Sequence, residues 1–294
     1  MSEALFTDSL PPADATAVPT SLLHLHRASS SLITGWTALG DDRYTVTAQW
    51  PTPTSSAPFD PLTLTNTVRQ ACLLVAHAEQ GVPLTHKTLM DAMDVRVAPG
   101  FRVPHDSRAR LLVGVRSHRT GARSRKTDFR IQVDHEMAAE ASLAFSWASP
   151  PAYRRLRGTR LNVDWAGIAV DPAVPAEVAG CAGTSRIALS AGDRPGRWLL
   201  RTDTADPVLY DHPVDHVPGL ALIEASYQAA HASTGSEAAS LRRMTSVFRR
   251  YVEFGVPCRL EAAPEAAGIR VTGVQEGEEA FTVFFAHDRN SRIP

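Results

Sequence analysis

The residues with the most chemistry to offer lie in one stretch, Tyr210-Asp-His-Pro-Val-Asp-His-Val-Pro-Gly-Leu-Ala-Leu-Ile-Glu-Ala-Ser-Tyr-Gln228. It holds two Asp-His pairs, Asp211-His212 and Asp215-His216, then a Pro218-Gly219 step, then Glu224. A carboxylate beside an imidazole can orient it for proton transfer. A glycine that opens a helix leaves backbone N–H groups at the positive end of the helix dipole, where a developing oxyanion is stabilised. A partly desolvated carboxylate can exchange a proton near neutral pH. Glu224, His216, Asp215 and Gly219 are therefore a set suited to acid–base chemistry on a carbonyl. Each also has a plainer reading. Glu224 fits a helix-surface carboxylate paired with an arginine. Asp215 and His216 fit helix-entry caps, His212 with Asp211 a loop brace before Pro213, and Gly219 a tight turn.

These residues need a helix and a sheet to hold them. Leu220, Ile223, Tyr227 and His231 recur at i, i+3, i+4 spacing, which predicts a helix from about 218 to 234 that stops at Gly235. A second long helix is predicted at 61–80: Asp60 is a good N-cap, Pro61 suits the first helical position, and Gly81 with Pro83 beyond ends it. Asn66, Arg69/Gln70, Leu73 and His77 share one face of it. Runs rich in β-branched and aromatic residues predict strands at 33–36, 43–50, 88–97, 110–115, 128–134 and 140–147, and later at 247–254, 258–263, 269–275 and 280–286. Residues 22–27 read as a short strand or an entry loop. The basic run from Arg116 to Lys126 reads as a solvated hairpin tip. If Arg249 and Arg250 lie in a strand, they face opposite sides and at most one points inward.

The pattern is written twice. Thr184-Ser185-Arg-Ile and Arg197-Trp-Leu-Leu echo Ser30-Ser31-Leu-Ile and Arg43-Tyr-Thr-Val, both at an offset of 154 residues. In the helices, Tyr227-Gln-Ala229 matches Arg69-Gln-Ala71 at an offset of 158, which pairs Asn66 with Glu224. Each half reads strand–strand–long helix–four strands, with a loose N-terminus over 1–20, one unit over 21–150, a Pro- and Arg-rich linker over 151–160 and a second unit over 161–290.

The loop ending in Pro218-Gly219 and opening a helix with Glu224 resembles the central-helix entrance of hotdog proteins. The segments His26-Arg27, Asp60 to Ala71, His77 to Pro83, Asp211 to Leu220, Glu224, Gln228 and Phe248 to Cys258 together resemble the A-factor biosynthesis (AfsA-like) family. The resemblance implies an α+β double hotdog, each repeat a long central helix wrapped by an antiparallel sheet. It implies an acyltransferase that joins a β-ketoacyl group from an acyl-carrier protein to dihydroxyacetone phosphate or a similar acceptor. The product would lead toward a γ-butyrolactone or butenolide signalling molecule. The family's helix pattern is Glu-x-x-Arg-Gln in both repeats, whereas here Asn66 replaces the first Glu and Tyr227 the second Arg. A complete acid-plus-arginine set then requires Glu224 of one repeat to work with Arg69 of the other. Gln70, Tyr227 and Gln228 are expected beside them at the substrate. Arg69, Arg249 and Arg250 are candidate ligands for the acceptor phosphate, because a guanidinium grips such groups in a fork. The same helix entrance also fits a dehydratase or thioesterase, and Asn66 with Tyr227 fits a non-catalytic acyl-binding protein.

Composition narrows the remaining classes. The 294 residues carry a formal net charge of −1, so no global field draws the chain to nucleic acid or anionic lipid. Cys72, Cys181 and Cys258 are scattered and odd in number, which fits a reducing cytoplasm and neither a disulfide framework nor a metal site. No apolar run reaches the ~20 residues of a membrane helix, and the N-terminus lacks the pattern of a signal peptide. No dinucleotide fingerprint, phosphate loop or nucleophile elbow is present, so no cofactor is expected. Two repeats in one chain mimic a dimer, so a monomer or weak dimer is expected.

Overall fold

A computed structural model describes residues 18–53, 57–181, 186–235 and 241–287. Most of the loose N-terminus, and Thr184-Ser185 of the repeat match, lie outside the described residues. The chain divides into two compact units, Met1–Tyr153 and Arg154–Pro294.

In the first unit, β1 (Ile33–Gly40) and β2 (Arg43–Trp50) precede helix α1 (Pro61–Ala78), followed by β3 (Lys87–Val97), β4 (Ala109–Gly121), β5 (Ser124–Val133) and β6 (Glu136–Ala148). Helix α2 (Pro150–Arg157) spans the division, and the second unit continues with a short helix α3 (Ala176–Ala179), then β7 (Leu189–Ala191) and β8 (Arg197–Leu200). Helix α4 (Gly219–Thr234) follows, then β9 (Leu241–Phe248), β10 (Cys258–Glu265), β11 (Gly268–Gln275) and β12 (Glu278–His287). All described pairings within each unit are antiparallel. The strands run in the order β1-β2-β4-β5-β6-β3 in the first unit and β7-β8-β10-β11-β12-β9 in the second. Numbered within its own unit, each sheet is therefore first–second–fourth–fifth–sixth–third, the same topology twice.

Each helix lies against its own sheet: α1 touches β1, β2 and β6, and α4 touches β7, β8, β10, β11 and β12. The helices are buried nearly all round rather than on one stripe, with Leu62, Leu64, Val68, Leu74 and Val75 enclosed in α1 and Leu220, Leu222, Ile223, Ala225 and Ala229 in α4. A helix hydrophobic on all sides is one that a sheet has wrapped. The strands supply the inner wall at period two, as in Leu111, Val113 and Val115 of β4 and Phe281, Val283 and Phe285 of β12. At Gly273 of β11 an added Cβ would collide with the Phe281 ring, so that position needs a glycine.

Three local expectations are changed, extended or settled. The segment read as a linker folds into α2 and a 3₁₀ turn, Gly158–Leu161. The Arg116–Lys126 run is the solvated end of a hairpin, but the strands around it are longer than expected: β4 and β5 extend into the run and leave only Ala122 and Arg123 as the turn. Of the two readings of residues 22–27, the entry loop holds: Leu22 and Leu23 finish a 3₁₀ turn, Thr20–Leu23, and residues 24–27 continue as loop.

Candidate active site

The two helix starts differ. Asp60 caps α1 in the usual way, accepting from the Leu62 N–H at 3.1 Å and the Thr63 hydroxyl at 2.7 Å. Pro218 precedes α4 and has no side-chain acceptor, so no side chain at the N-cap position closes that start. The first-turn N–H groups of α4, at the positive end of the dipole, are those of Gly219 and Leu220.

The loop leading to Gly219 is fastened at three points. Trp165 Nε1 donates to the Val214 carbonyl at 2.9 Å, Arg157 Nη2 to the Asp215 carbonyl at 2.7 Å, and the Val217 N–H to the Val252 carbonyl at 2.9 Å. Trp165, Tyr210 and Phe254 form an aromatic nest beneath it, with ring centroids 5.7–6.1 Å apart. Burial, then the charges of Asp206 and Asp203, raise the Tyr210 phenol, so it stays neutral.

Both Asp-His neighbours are in contact. His216 Nδ1 lies 3.1 Å from Asp215 Oδ1 and His212 Nδ1 lies 3.2 Å from Asp211 Oδ2, with all four side chains half-buried or better. The second oxygen of Asp215 accepts from Arg157 Nε at 2.8 Å. The Tyr251 ring stands edge-on to His216, with centroids 4.6 Å apart.

Glu224 is half-buried on α4, five residues past Gly219 and so about 7.5 Å along the helix axis. Its Oε1 accepts from Gln228 Nε2 at 2.7 Å. Gln228 is itself bolted to the strand side: its Nε2 also donates to the Arg186 carbonyl at 2.7 Å, and its Oε1 accepts from the Ala188 N–H at 2.8 Å. Gln70 repeats this in the first unit, taking the Leu32 N–H at 2.8 Å and giving to the Ser30 carbonyl at 2.9 Å. The helical register of 158 residues is thereby seen in matching bonds. These amides orient the helices from within the chain. Asn66, in place of the acid, is buried with its Oδ1 lacking a hydrogen-bond partner among the described residues.

Tyr227 packs its ring on Phe285 at 4.4 Å. Arg69 is half-buried on α1. Arg249 and Arg250 lie past the end of β9, where both N–H groups donate to the Ala280 carbonyl at 2.8 and 3.1 Å. Their side chains are exposed and paired with Glu279 at 2.8 Å and Glu278 at 3.3 Å, so neither points inward, within the expectation that at most one would.

Sequence reasoning missed Arg157, hidden in an apparent linker. Only its i, i+4 spacing from the buried Tyr153 hints at an inward face. His77 serves packing, with Nδ1 on the Val82 carbonyl at 2.8 Å and its ring 4.7 Å from His24, and burial lowers its pKa. Burial pushes the Cys72 and Cys258 thiols up to about 12, which leaves neither a nucleophile at neutral pH. Among the described residues no cluster of three or more His, Cys, Asp or Glu is placed to hold a metal, and no helix is long and apolar enough to cross a membrane.

A sheet-wrapped helix, written twice, with an open helix start and an acid one turn in, defines a double hotdog protein. The profile of the A-factor biosynthesis hotdog domain matches residues 7–147 and 183–245, and the chain belongs to that family. It is 34% identical over 284 residues, 91% of this chain and 96% of the relative, to a 2-oxo-3-(phosphooxy)propyl 3-oxoalkanoate synthase of Streptomyces virginiae. A protein of the same name from Streptomyces griseus subsp. griseus is 31% identical over 97% of this chain and 98% of its own. The fold is shared with a 12:0-ACP thioesterase from Umbellularia californica (TM-score 0.52, 13% identity, 86% of this chain and 99% of that one). It is shared also with an acyl-ACP thioesterase from Bacteroides thetaiotaomicron (TM-score 0.54, 12% identity, 83% and 98%).

Proposed function

We propose that the chain is a 2-oxo-3-(phosphooxy)propyl 3-oxoalkanoate synthase. It joins a β-ketoacyl group, carried as a thioester on an acyl-carrier protein, to the hydroxyl of dihydroxyacetone phosphate, toward a butenolide or γ-butyrolactone signal. The observation that carries this reading is the 34% identity to a synthase of that name across 96% of the relative's length.

The chemistry maps onto the second unit. The open start of α4 at Gly219 donates N–H groups to the thioester carbonyl as its oxygen gains charge. Glu224, held by Gln228, takes the proton from the acceptor hydroxyl. The hydroxyl oxygen attacks the carbonyl carbon, the new C–O bond forms, and the C–S bond breaks. The thiolate leaves and takes a proton from the imidazolium of His216, which Asp215 stabilises. Exchange with solvent then returns the proton from Glu224 and reloads His216. Arg69 is the proposed contact for the acceptor phosphate. Tyr227, Arg249 and Arg250 are secondary candidates. The protein is proposed to act in the cytoplasm as a monomer or weak dimer, consistent with three free cysteines and a doubled unit.

The test is direct. Purified protein is incubated with a β-ketoacyl thioester and dihydroxyacetone phosphate, and products are read by mass spectrometry. Phosphorylated ester is expected. Free acid or an enoyl product alone would instead establish a thioesterase or dehydratase, and tight binding without turnover a non-catalytic acyl-binding protein.

A further inference from the structure

Arg157 is enclosed as few arginines are, with only 2% of its side chain exposed. Nε donates to Asp215 Oδ2 at 2.8 Å and Nη2 to the Asp215 carbonyl at 2.7 Å. Nη1 and Nη2 reach the two oxygens of Glu253, each at 2.7 Å. The guanidinium carbon lies 4.2 Å from the centroid of Tyr251, the ring that stands against His216. Arg160 adds a second cation to Glu253 at 3.3 Å from the exposed side. A buried pair of this kind returns little net stability once desolvation is counted, so its value lies in the arrangement it enforces.

That arrangement converges on one imidazole. Asp215 is gripped by side chain and carbonyl together, so it cannot turn away from His216. Glu253 anchors the guanidinium from behind and is itself held by Gln275, which accepts from the Glu253 N–H at 2.8 Å and donates to its carbonyl at 3.1 Å. Tyr251 walls the ring. We propose that Arg157 is the positioning residue of the Asp215–His216 pair: it fixes the carboxylate on Nδ1, so that Nδ1 keeps its proton and Nε2 is the nitrogen that exchanges protons with substrate. The inference rests on the reading that His216 serves the acyl transfer.

Arg157→Gln and Arg157→Lys test it with two independent readouts. Nitrogen NMR of His216 reports which ring nitrogen bears the proton. Steady-state ester formation across the neutral pH range separates kcat from KM. In its neutral form, the one left once Nε2 has given up its proton, wild-type His216 should hold the Nδ1–H tautomer. Both variants should show mixed tautomers and an altered kcat–pH profile. In Arg157→Gln kcat should fall about 100-fold with KM changed only a few-fold, since a small misplacement of a reacting group costs on that order. Added guanidinium ion should recover part of the loss. A folded Arg157→Gln protein with the wild-type tautomer overturns the proposal, whether or not its rate falls. If that variant does not fold, Arg157→Lys decides by the same criterion. Should the wild-type protein form no ester at all, the functional reading fails, while the NMR comparison still decides what Arg157 does.

Discussion

Gln228 gives one side-chain N–H to the Glu224 carboxylate and another to the Arg186 carbonyl, each at 2.7 Å. The acid is thus aimed by the same amide that ties α4 to the chain before β7. Gln70 makes the equivalent backbone bonds in the first unit, where Asn66 stands in place of the acid.

The two glutamines should therefore separate stability from activity. Each alanine variant leaves two backbone groups unmatched, part-buried except for the buried Ala188 N–H, at up to about 1–3 kcal/mol per group. Gln70→Ala and Gln228→Ala should lower thermal stability alike, yet only Gln228→Ala should also reduce kcat. Equal losses of kcat, once each protein is assayed well below its melting point, would argue against the aiming role.

Glu224→Gln keeps an oxygen for Gln228 and so should preserve the fold while removing the base. Ester formation should drop by ~10²–10⁴ with substrate binding little changed. Asn66→Ala should keep the rate within a few-fold, and Arg69→Ala should mainly weaken the phosphorylated acceptor, seen as a higher KM. Full activity in Glu224→Gln together with loss in Asn66→Ala would move the chemistry to the other unit.

The sequence displays what local chemistry encodes. Asp60-Pro61 and Pro218-Gly219 mark both helix starts within a residue, and β-branched runs mark the central strands. Repetition was legible too, although the Ser30 to Leu32 and Arg186 to Ala188 contacts show that helices and strands are offset by different amounts. What escaped depends on distant partners. Arg157 meets Asp215 and Glu253, 58 and 96 residues away, and locally only its i, i+4 spacing from Tyr153 sets it apart from the solvated Arg154 and Arg155. Arg249 and Arg250 look like strand residues, but the backbone there doubles onto the Ala280 carbonyl and ends β9 early.

Cysteine chemistry gives a pH prediction. Burial raises the thiols of Cys72 and Cys258 to about 12, so the reactive thiolate forms only as pH climbs toward that value. Iodoacetamide at mildly alkaline pH should leave both unlabelled in the native protein, with ester formation intact, and label them after denaturation. Rapid native labelling of Cys72 coupled to inactivation would show that α1 opens far more readily than its burial implies.

The last prediction turns on the missing cap of α4. At α1 the Asp60 carboxylate occupies the Leu62 N–H; at α4 Pro218 makes no side-chain cap bond, and on the proposed function that helix start receives the substrate oxygen. Pro218 already has an extended backbone, φ −60° and ψ 141°, in the broad region a capping residue uses. Pro218→Asp should therefore be able to cap the helix, adding about 1 kcal/mol of stability, offset in part by the freer unfolded chain once proline is gone. The new carboxylate would sit where the thioester oxygen must develop charge, competing for the same N–H groups and repelling the oxyanion. Loss of such donors costs about 10²–10³ in kcat, so this variant should melt no lower than Pro218→Ala and turn over far more slowly. Pro218→Ala controls for the backbone change, since it adds no acceptor, and should retain most activity. If Pro218→Asp proves as active as Pro218→Ala, the start of α4 does not hold the reacting carbonyl.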